Sequence, residues 1–506
     1  MRRLATLLRA SRRALLLALL VAVGAAHVGS PDAFFDGMAG PYAVRVIVRP
    51  PQVIPGLAEI VVRATGANAA EVRSVAVRPV FWSTGAPGSP RADATTRVEA
   101  PDPTFTGRLW LMRAGAWSVQ VIVNGTRGEG MVSVPVGAVA TGQLALGAGL
   151  RVLLVALGLL LFAGMLTIVH AASGEAQVEP GAAIPGALRR RARAVTAGAA
   201  VLLGLLLLGG ARWWDAEARA YRRTLHRPLD VRTTIESDAR GPLLAVAIVD
   251  SAWQRRLIAP IVPDHGKLAH LFLVKDGDES VLAHLHPTMR DSSTLTTSLP
   301  ALPAGRYRLY ADVVHETGFA RTLTDTVDVP AATMDAPLDP DDGWARIPLA
   351  PAASPGASVP LGDGAVMRWR AADSAFVAGR ETTLAVEVLT AEGAPAALEP
   401  YLGMAGHAVV TKRDGSVFVH LHPGGTTSVT AQAIFAARDR GDTTAAGRLR
   451  AGAIDAALHG GHLPAVSRLD FPYAFPSAGR YRVWVQIRRA GRVETGAFDV
   501  EVRAAD

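Results

Sequence analysis

The segment YLGMAGHAVVTKRDGSVFVHLHP, Tyr401–Pro423, predicts a β-hairpin. Asp414-Gly415 favours a two-residue type I′ turn, and the runs on either side are β-branched and apolar. This turn predicts a register that places His407 opposite His422. His420 shares that face, because side chains along a strand alternate with a period of two.

The two faces of this hairpin differ in composition. Cross-strand Cβ atoms lie about 4.5–5.5 Å apart and diagonal ones about 7–8 Å, so the three imidazoles could converge on one ion. The register count also places Val409 opposite Phe418. The other face is predicted to pack on a core and carries Ala408, Val410, Val417, Val419 and Leu421.

A diverged second copy of the hairpin lies upstream, in DHGKLAHLFLVKDGDESVLAHLHP. Its His270, His284 and His286 occupy the places of the three downstream histidines, and its longer loop still allows His270 to face His286. Each hairpin is followed by a shared string, AGRYRLYADV from Ala304 and AGRYRVWVQI from Ala478. The repeated order indicates one fold used twice.

A third, more distant copy is predicted near the N-terminus. From Gly40 to Val136 the sequence shows short strand patterns separated by turn residues, which is typical of an all-β sandwich. AGAWSVQVIVNG, from Ala114, is similar to the later AGRYR strings but has no histidine hairpin. The sequence therefore predicts a mainly β protein with three immunoglobulin-like β-sandwich domains.

Three apolar segments predict export and membrane insertion. Residues 1–26 combine an arginine-rich start with an apolar run and small residues, the pattern of a signal peptide or, if uncleaved, an N-terminal anchor. Val152–Ala172 and Ala194–Ala211 predict transmembrane helices that serve as an anchor. Their connecting loop is predicted to be cytoplasmic by the positive-inside rule, because it carries Arg189, Arg190, Arg191 and Arg193.

The expected location is a bacterial inner (cytoplasmic) membrane, with the β domains facing the periplasm or the cell exterior. The predicted segments are 1–26, signal peptide or N-terminal anchor; 27–143, extracytoplasmic sandwich; 144–214, two transmembrane helices and a short cytoplasmic loop; 215–332, sandwich with a histidine hairpin; 333–361, linker; and 362–506, sandwich with a histidine hairpin.

Composition excludes several classes of protein. The chain has no cysteine, which excludes disulfides, thiolate zinc sites, iron–sulfur clusters and blue-copper centres. Its net charge of +8 is exceeded by nine arginines of the N-terminal segment and the predicted loop, so nucleic acid is not an expected partner. We expect no enzymatic activity, because no nucleophile elbow, phosphate loop or carboxylate next to the HxH motifs is present.

The histidine hairpins predict metal binding. Imidazole suits copper, zinc and nickel, and three histidines leave a fourth position open. Met404 is the nearest soft ligand and favours copper, particularly Cu(I), with zinc as the alternative ion. In the upstream copy Lys267 occupies the matching place, where His265 or Met289 could substitute.

The role of the histidines and the relation of the two hairpins are both open from the sequence. The histidines could instead be structural, hydrogen-bonded to loop carbonyls, in a non-metal envelope scaffold or protein-interaction module. If metal does bind, two domains on a flexible linker should bind it independently.

The segment GPYAVRVIVRPPQVIPGLAEI and the strings LPAGRYRLYADV and FPSAGRYRVWVQI resemble the FixH/YtkA-like family of membrane-associated, exported β-sandwich domains. A wider likeness is to periplasmic copper-handling sandwiches of the CopC type. The resemblance implies a bacterial envelope protein connected with copper homeostasis or respiratory-oxidase maturation. The implied partners are a metal ion, membrane lipid, and envelope or respiratory-complex proteins. The first sandwich departs from this pattern by lacking the histidines.

Overall fold

A computed structural model describes residues 27–28, 32–238, 241–331, 338–371, 375–444, 448–450, 452 and 466–505. The predicted signal segment 1–26 lies outside the described residues. The chain is mainly β, with 45% strand and 21% helix, which confirms the predicted class. It divides into two compact units, one of Met1–Ala138 with Arg227–Asp506 and one of Val139–His226.

The first β region supplies two sheets, here called sheet pair 1. Alternate residues of the strand Gly56–Thr65 are buried, among them Ala58, Ile60 and Val62, as expected for strands with one face on a core. The strands are β1 (His27–Val28), β2 (Ala33–Ala39), β3 (Tyr42–Arg49), β4 (Gly56–Thr65), β5 (Val72–Phe81), β6 (Asp93–Ala94), β7 (Thr96–Val98), β8 (Thr104–Leu111), β9 (Gly115–Gly125) and β10 (Gly128–Ala138). The sheet orders are β2-β3-β4-β8-β7 and β10-β9-β5-β6.

The second compact unit holds two helices, α1 (Ala148–Ser173) and α2 (Gly186–Thr224), both long and apolar enough to cross a membrane. The 26 residues of α1 span about 39 Å, more than the roughly 30 Å of a bilayer core. Both contain the predicted apolar segments and extend beyond them. One prediction needs correction, because the arginines at 189–191 and 193 lie in the first turns of α2 rather than in a loop. Alanine and arginine both favour helix, so the helix begins before them.

The second β region forms sheet pair 2. Its two sheets share a core that includes Leu271, Leu273, Val281 and Leu309. Its elements are β11 (Val231–Asp238), β12 (Gly241–Ile248), α3 (Ser251–Gln254), β13 (Ile261–Val262), β14 (His270–Lys275), β15 (Val281–Leu285), β16 (Thr288–Met289), β17 (Thr294–Ser298), β18 (Gly305–His315), β19 (Ala320–Val329) and β20 (Gly343–Arg346). The orders are β11-β12-β17-β16 and β13-β18-β14-β15-β20, with β19 on the other edge of β18.

The third β region forms sheet pair 3, whose core includes Trp369, Phe471 and Phe498. Its elements are β21 (Ser358–Pro360), β22 (Val366–Trp369), β23 (Phe376–Val377), β24 (Glu381–Leu389), β25 (His407–Lys412), β26 (Val417–Leu421), α4 (Val429–Asp439), β27 (Arg468–Ala474), β28 (Gly479–Arg489) and β29 (Arg492–Arg503). The orders are β21-β22-β24-β27 and β1-β26-β25-β28-β29-β23. Strands β20 and β21 fall within 333–361, the stretch expected to be a linker.

The downstream hairpin, β25–β26, has the register that brings His407 to His422. Ala408 pairs with Leu421, one step inside that position. The predicted Val409–Phe418 pair is wrong, because this register sets Val409 opposite His420. The turn is not of type I′, since Gly415 has a φ of +75° but Asp414 is not left-handed. The Asp414 carboxylate accepts the Ser416 backbone N–H instead.

The upstream hairpin, β14–β15, repeats this geometry. Leu271 pairs with Leu285, which leaves His270 facing His286 as predicted. In the downstream hairpin the apolar face belongs to the core of sheet pair 3, which contains all five residues predicted for it: Ala408, Val410, Val417, Val419 and Leu421.

The opposite faces of the two hairpins are not exposed, because sheet pairs 2 and 3 pack on each other there. Phe418 stacks on Tyr310 with ring centroids 4.1 Å apart and lies 5.3 Å from Phe272. The small core between the pairs consists of Phe272, Val274, Leu282, Tyr310, Val409, Phe418, Trp484 and Ala497. Both hairpins are therefore buried on both faces, and their histidines meet across this contact.

Candidate metal centre

Each hairpin gathers its three histidines as the sequence predicted. In each triad, every histidine has one ring nitrogen that lies within 4.8 Å of a ring nitrogen of each of the other two. The upstream histidines, called triad A, are His270 on β14, His284 on β15 and His286 directly after it. Triad B consists of His407, His420 and His422.

Hydrogen bonds fix the proton position on His270 of triad A. Its Nε2 lies 3.2 Å from the backbone oxygen of Asp264, which can only accept, so Nε2 carries the proton. In the neutral ring Nδ1 then has a free lone pair. That nitrogen lies 3.2 Å from Nε2 of His284.

The proton of His284 lies on the far side of its ring. Nδ1 is 2.9 Å from Oε1 of Gln486 and 3.1 Å from the Tyr401 hydroxyl. The hydroxyl uses its own proton on the backbone oxygen of Asp341, 2.9 Å away, so both neighbours of Nδ1 accept. His284 Nδ1 is therefore the donor, and its Nε2 faces His270 Nδ1 lone pair to lone pair. Such a contact is repulsive unless a cation lies against both nitrogens.

His286 completes triad A with a buried nitrogen that has no partner. Its Nδ1 lies 2.8 Å from Oδ1 of Asp342, an oxygen that also accepts the His286 backbone N–H. Its Nε2 is buried and makes no hydrogen bond to any described residue. A ligating histidine is usually oriented in this way, by a carboxylate on its non-ligating nitrogen.

Triad B repeats the arrangement. His407 Nε2 donates to the backbone oxygen of Tyr401 at 3.2 Å, and its Nδ1 lies 3.0 Å from His420 Nε2. His422 Nδ1 donates to the Thr427 oxygen at 3.4 Å, and its Nε2 is buried without a partner in the described structure. On the far side of His420, Nδ1 lies 3.4 Å from Oδ2 of Asp312.

Burial favours the neutral form, the one that binds metal, for five histidines of the triads. Desolvation lowers the pKa of His422 to about 4. Burial also raises the pKa of Asp312 to about 7, so proton release from this carboxyl near neutrality leaves an acceptor for the Nδ1 proton of His420. For the other four, burial lowers the pKa well below the ordinary value, and the neighbouring histidines add to that effect: His270, His284, His407 and His420.

The two triads lie in contact with each other. Ring centroids of His270 and His420 are 5.3 Å apart, and those of His284 and His407 are 6.1 Å apart. Distances within the triads are similar, for example 5.4 Å between His270 and His284. His265 lies beside them, 4.9 Å from the His422 ring; its buried Nε2 makes no hydrogen bond to a described residue and lies 3.8 Å from Oδ1 of Asp264. These seven residues are called the histidine cluster.

Comparison of the chain with known protein families gives a match to part of the chain. Residues 247–331 and 358–504, which contain both hairpins, match a family described as "Domain of unknown function (DUF8832)". No curated protein matches the chain.

The solved structures that match this chain do so at low sequence identity and low TM-score. They are a tetra-tandem repeat from the extending region of a large adhesion protein (11% identity, covering 89% of this chain and 71% of that one, TM-score 0.16), dimeric latent PorU from Porphyromonas gingivalis (9%, 94% and 34%, 0.14), and the FN1–FN3 domains of chicken CNTN1 (9%, 90% and 97%, 0.15). At these TM-scores none of them carries an argument about this chain.

The residues considered as a fourth ligand occupy different surroundings. Met404 is half-buried on a turn where it exchanges backbone hydrogen bonds with Tyr401. Lys267 holds the matching turn position and exchanges hydrogen bonds with Asp264, which confirms the correspondence of the two copies. Its ammonium pairs with Asp339 at 2.7 Å. Met289 packs against the core of sheet pair 2.

Sequence reasoning missed the groups that hold the histidines. Asp312 and Gln486 are the ninth residues of the two AGRYR strings, so they occupy equivalent positions. Each lies opposite the first histidine of its own hairpin in the sheet. Yet each contacts the middle histidine of the other triad. Two polar residues at one matched position, each with apolar residues on both sides in the sequence, are a signal that the sequence offered.

Proposed function

We propose that this protein is a membrane-anchored, extracytoplasmic metal-binding protein built from three immunoglobulin-like sandwiches. Copper, as Cu(I), is the proposed ion, and zinc is the alternative. The observation that carries the proposal is the contact between His270 Nδ1 and His284 Nε2, two buried nitrogens whose other ring atoms already hold the protons. A cation turns this repulsion into coordination.

The ligand chemistry favours copper. Neutral imidazole binds both Cu and Zn. Met404 lies three residues before His407 and would add a soft thioether suited to Cu(I). The carboxyl groups of Asp342 and Asp312 contact the outer ring nitrogens of His286 and His420, from where they would orient these ligands.

The membrane assignment rests on the sequence pattern of residues 1–26 and on α1 and α2. Together with the family resemblance, it supports a place in the bacterial envelope, at the cytoplasmic membrane. A role in copper handling or respiratory-oxidase maturation follows, with membrane lipid and envelope or respiratory-complex proteins as partners. Enzymatic activity and nucleic-acid binding form no part of the proposal.

Metal content of the full-length, detergent-solubilised protein tests the proposal. The protein is exposed separately to Cu(I), Cu(II) and Zn(II), freed of loose ions and analysed. We expect retained metal in the wild type and a loss in a variant carrying both His286→Asn and His422→Asn. The matched control is His315→Asn, since His315 is equally buried but donates to the backbone oxygen of Ala259 outside the cluster.

Absence of all three metals from the folded wild type would contradict the proposal. The histidines would then be structural, and a scaffold or interaction module would be the better description.

A further inference from the structure

The two triads support each other across the contact between sheet pairs 2 and 3. Gln486, from sheet pair 3, accepts the proton of His284 in triad A at 2.9 Å. Asp312, from sheet pair 2, lies 3.4 Å from the corresponding nitrogen of His420 in triad B. Tyr401 contacts both triads. Its backbone oxygen accepts a hydrogen bond from His407 of triad B, and its hydroxyl contacts His284 of triad A.

The rings of the two triads also lie close together in one buried region. The rings of His270 and His420 are as close as rings within one triad, at 5.3 Å. His265 contacts both sets, with ring centroids 5.9 Å from His270 and 4.9 Å from His422. Because each triad is held by a side chain of the other sheet pair and their rings are this close, an ion bound in one triad would affect binding in the other.

Resting on the proposed function, we propose that the histidine cluster is a single dinuclear centre that accepts two Cu(I) ions but only one divalent ion. Each triad offers three nitrogens to one ion, and the two ions share the space between the hairpins.

Charge is the reason for this selectivity. The imidazole ligands themselves are neutral, so the charge of the ions is offset only in part, by the carboxyl groups of Asp264, Asp312 and Asp342 beside the cluster. The repulsion between two ions scales with the product of their charges, which is four times larger for two divalent ions than for two Cu(I) ions. At a separation of about 6 Å the extra repulsion weakens the second divalent ion by roughly thirtyfold even at the dielectric constant of water. In a buried site the penalty is larger.

The centre also predicts coupling between the triads. In the wild type the second Cu(I) binds next to the first and is weakened by it. A variant with one working triad binds its single Cu(I) without that neighbour. Neither His286→Asn nor His422→Asn should therefore bind Cu(I) as weakly as the second step of the wild type.

Titration of the full-length protein in detergent tests the inference. Cu(I) is titrated anaerobically against a chromophoric Cu(I) chelator, and Zn(II) against a zinc indicator. We expect two tightly held Cu(I) ions and one tightly held Zn(II) ion per chain. Equal counts for the two metals, or a single Cu(I), would overturn the dinuclear centre and leave the proposed function intact. Binding of neither metal would overturn both.

The single variants supply the second readout. Each should retain one Cu(I), and His315→Asn should retain two. If the affinities of His286→Asn and His422→Asn reproduce the two steps of the wild type, the triads are independent and the inference is wrong. Circular dichroism of each variant separates loss of a ligand from loss of the fold.

Discussion

At the scale of single residues, the centre depends on which nitrogen of each histidine carries a proton. Backbone oxygens fix His270, His407 and His422, whereas side chains from the opposite sheet pair hold His284 and His420. In the proposed centre, Gln486 and Asp312 would therefore change metal affinity by setting the orientation and basicity of a histidine ring on the other hairpin.

Gln486→Leu should lower the affinity of the centre for metal by roughly ten- to a hundredfold, because His284 loses its best acceptor. Competition with a chelator of known affinity measures the change. The control is Gln120→Leu, another buried glutamine, which lies on β9 in sheet pair 1. An unchanged affinity in Gln486→Leu would show that the Tyr401 hydroxyl alone orients the ring.

The metal-free protein should lose stability as the pH falls from about 6.5 towards about 4. Unfolded histidines take up protons near pH 6.5, but in the folded state burial lowers the pKa of five histidines of the triads, that of His422 to about 4. The free energy of unfolding then drops by up to about 1.4 kcal/mol per pH unit for each. Asp312 offsets the loss from one histidine. Its carboxyl has a raised pKa, so it takes up its proton more readily in the folded state, and this stabilises the folded state as the pH falls. Above pH 7 the histidines are neutral in both the folded and the unfolded state, so they cause no change of stability with pH.

Urea denaturation of the metal-free protein at pH 7.5 and 5.5 measures this loss. His422→Asn should make the decline shallower, since one titrating group is removed. A stability that is the same at both pH values would contradict the prediction. Because the folded rings resist protonation, metal should also be retained to lower pH than an ordinary histidine pKa implies.

At the scale of elements, the hairpins act as a pair, and the apolar contact beside the cluster aligns them. Phe418→Ala removes a fully buried ring that stacks on Tyr310 at 4.1 Å. A loss of about 3–5 kcal/mol is expected, with weaker binding at both triads because their spacing changes. Phe105→Ala, in the core of sheet pair 1, should destabilise similarly but leave metal affinity unchanged. Equal effects of the two variants on affinity would contradict this role of the contact.

The hairpins and their histidine triads could be predicted because strand alternation and a short turn set which residues share a face. What covers that face could not be predicted, since alternation carries no information about packing between domains. His265 illustrates the limit. It lies in a turn with a φ of +52°, a conformation that the neighbouring sequence does not predict. The strand β20 likewise depends on a free sheet edge beside β15, which the proline- and aspartate-rich stretch does not reveal.

At the scale of the whole molecule, the chain leaves one compact unit at Ala138, passes through the two long helices, and returns to the same unit at Arg227. If both helices cross a membrane, the three sheet pairs must lie on one side and the connection near 174–185 on the other. A phosphatase fusion that requires export should be active after residue 505 and inactive within 174–185. The reverse pattern would place the histidine cluster in the cytoplasm.

The crossed support of the histidines by Asp312 and Gln486 has an evolutionary meaning. Two copies of one hairpin that support each other's histidines are what gene duplication and fusion of a self-pairing protein would produce. In such an ancestor the centre would have lain on the twofold axis of a homodimer. Fusion would then have freed the copies to diverge, so that one matched position holds a carboxyl and the other an amide. A chain with only one copy of the repeat should therefore need a second molecule of itself to complete its centre.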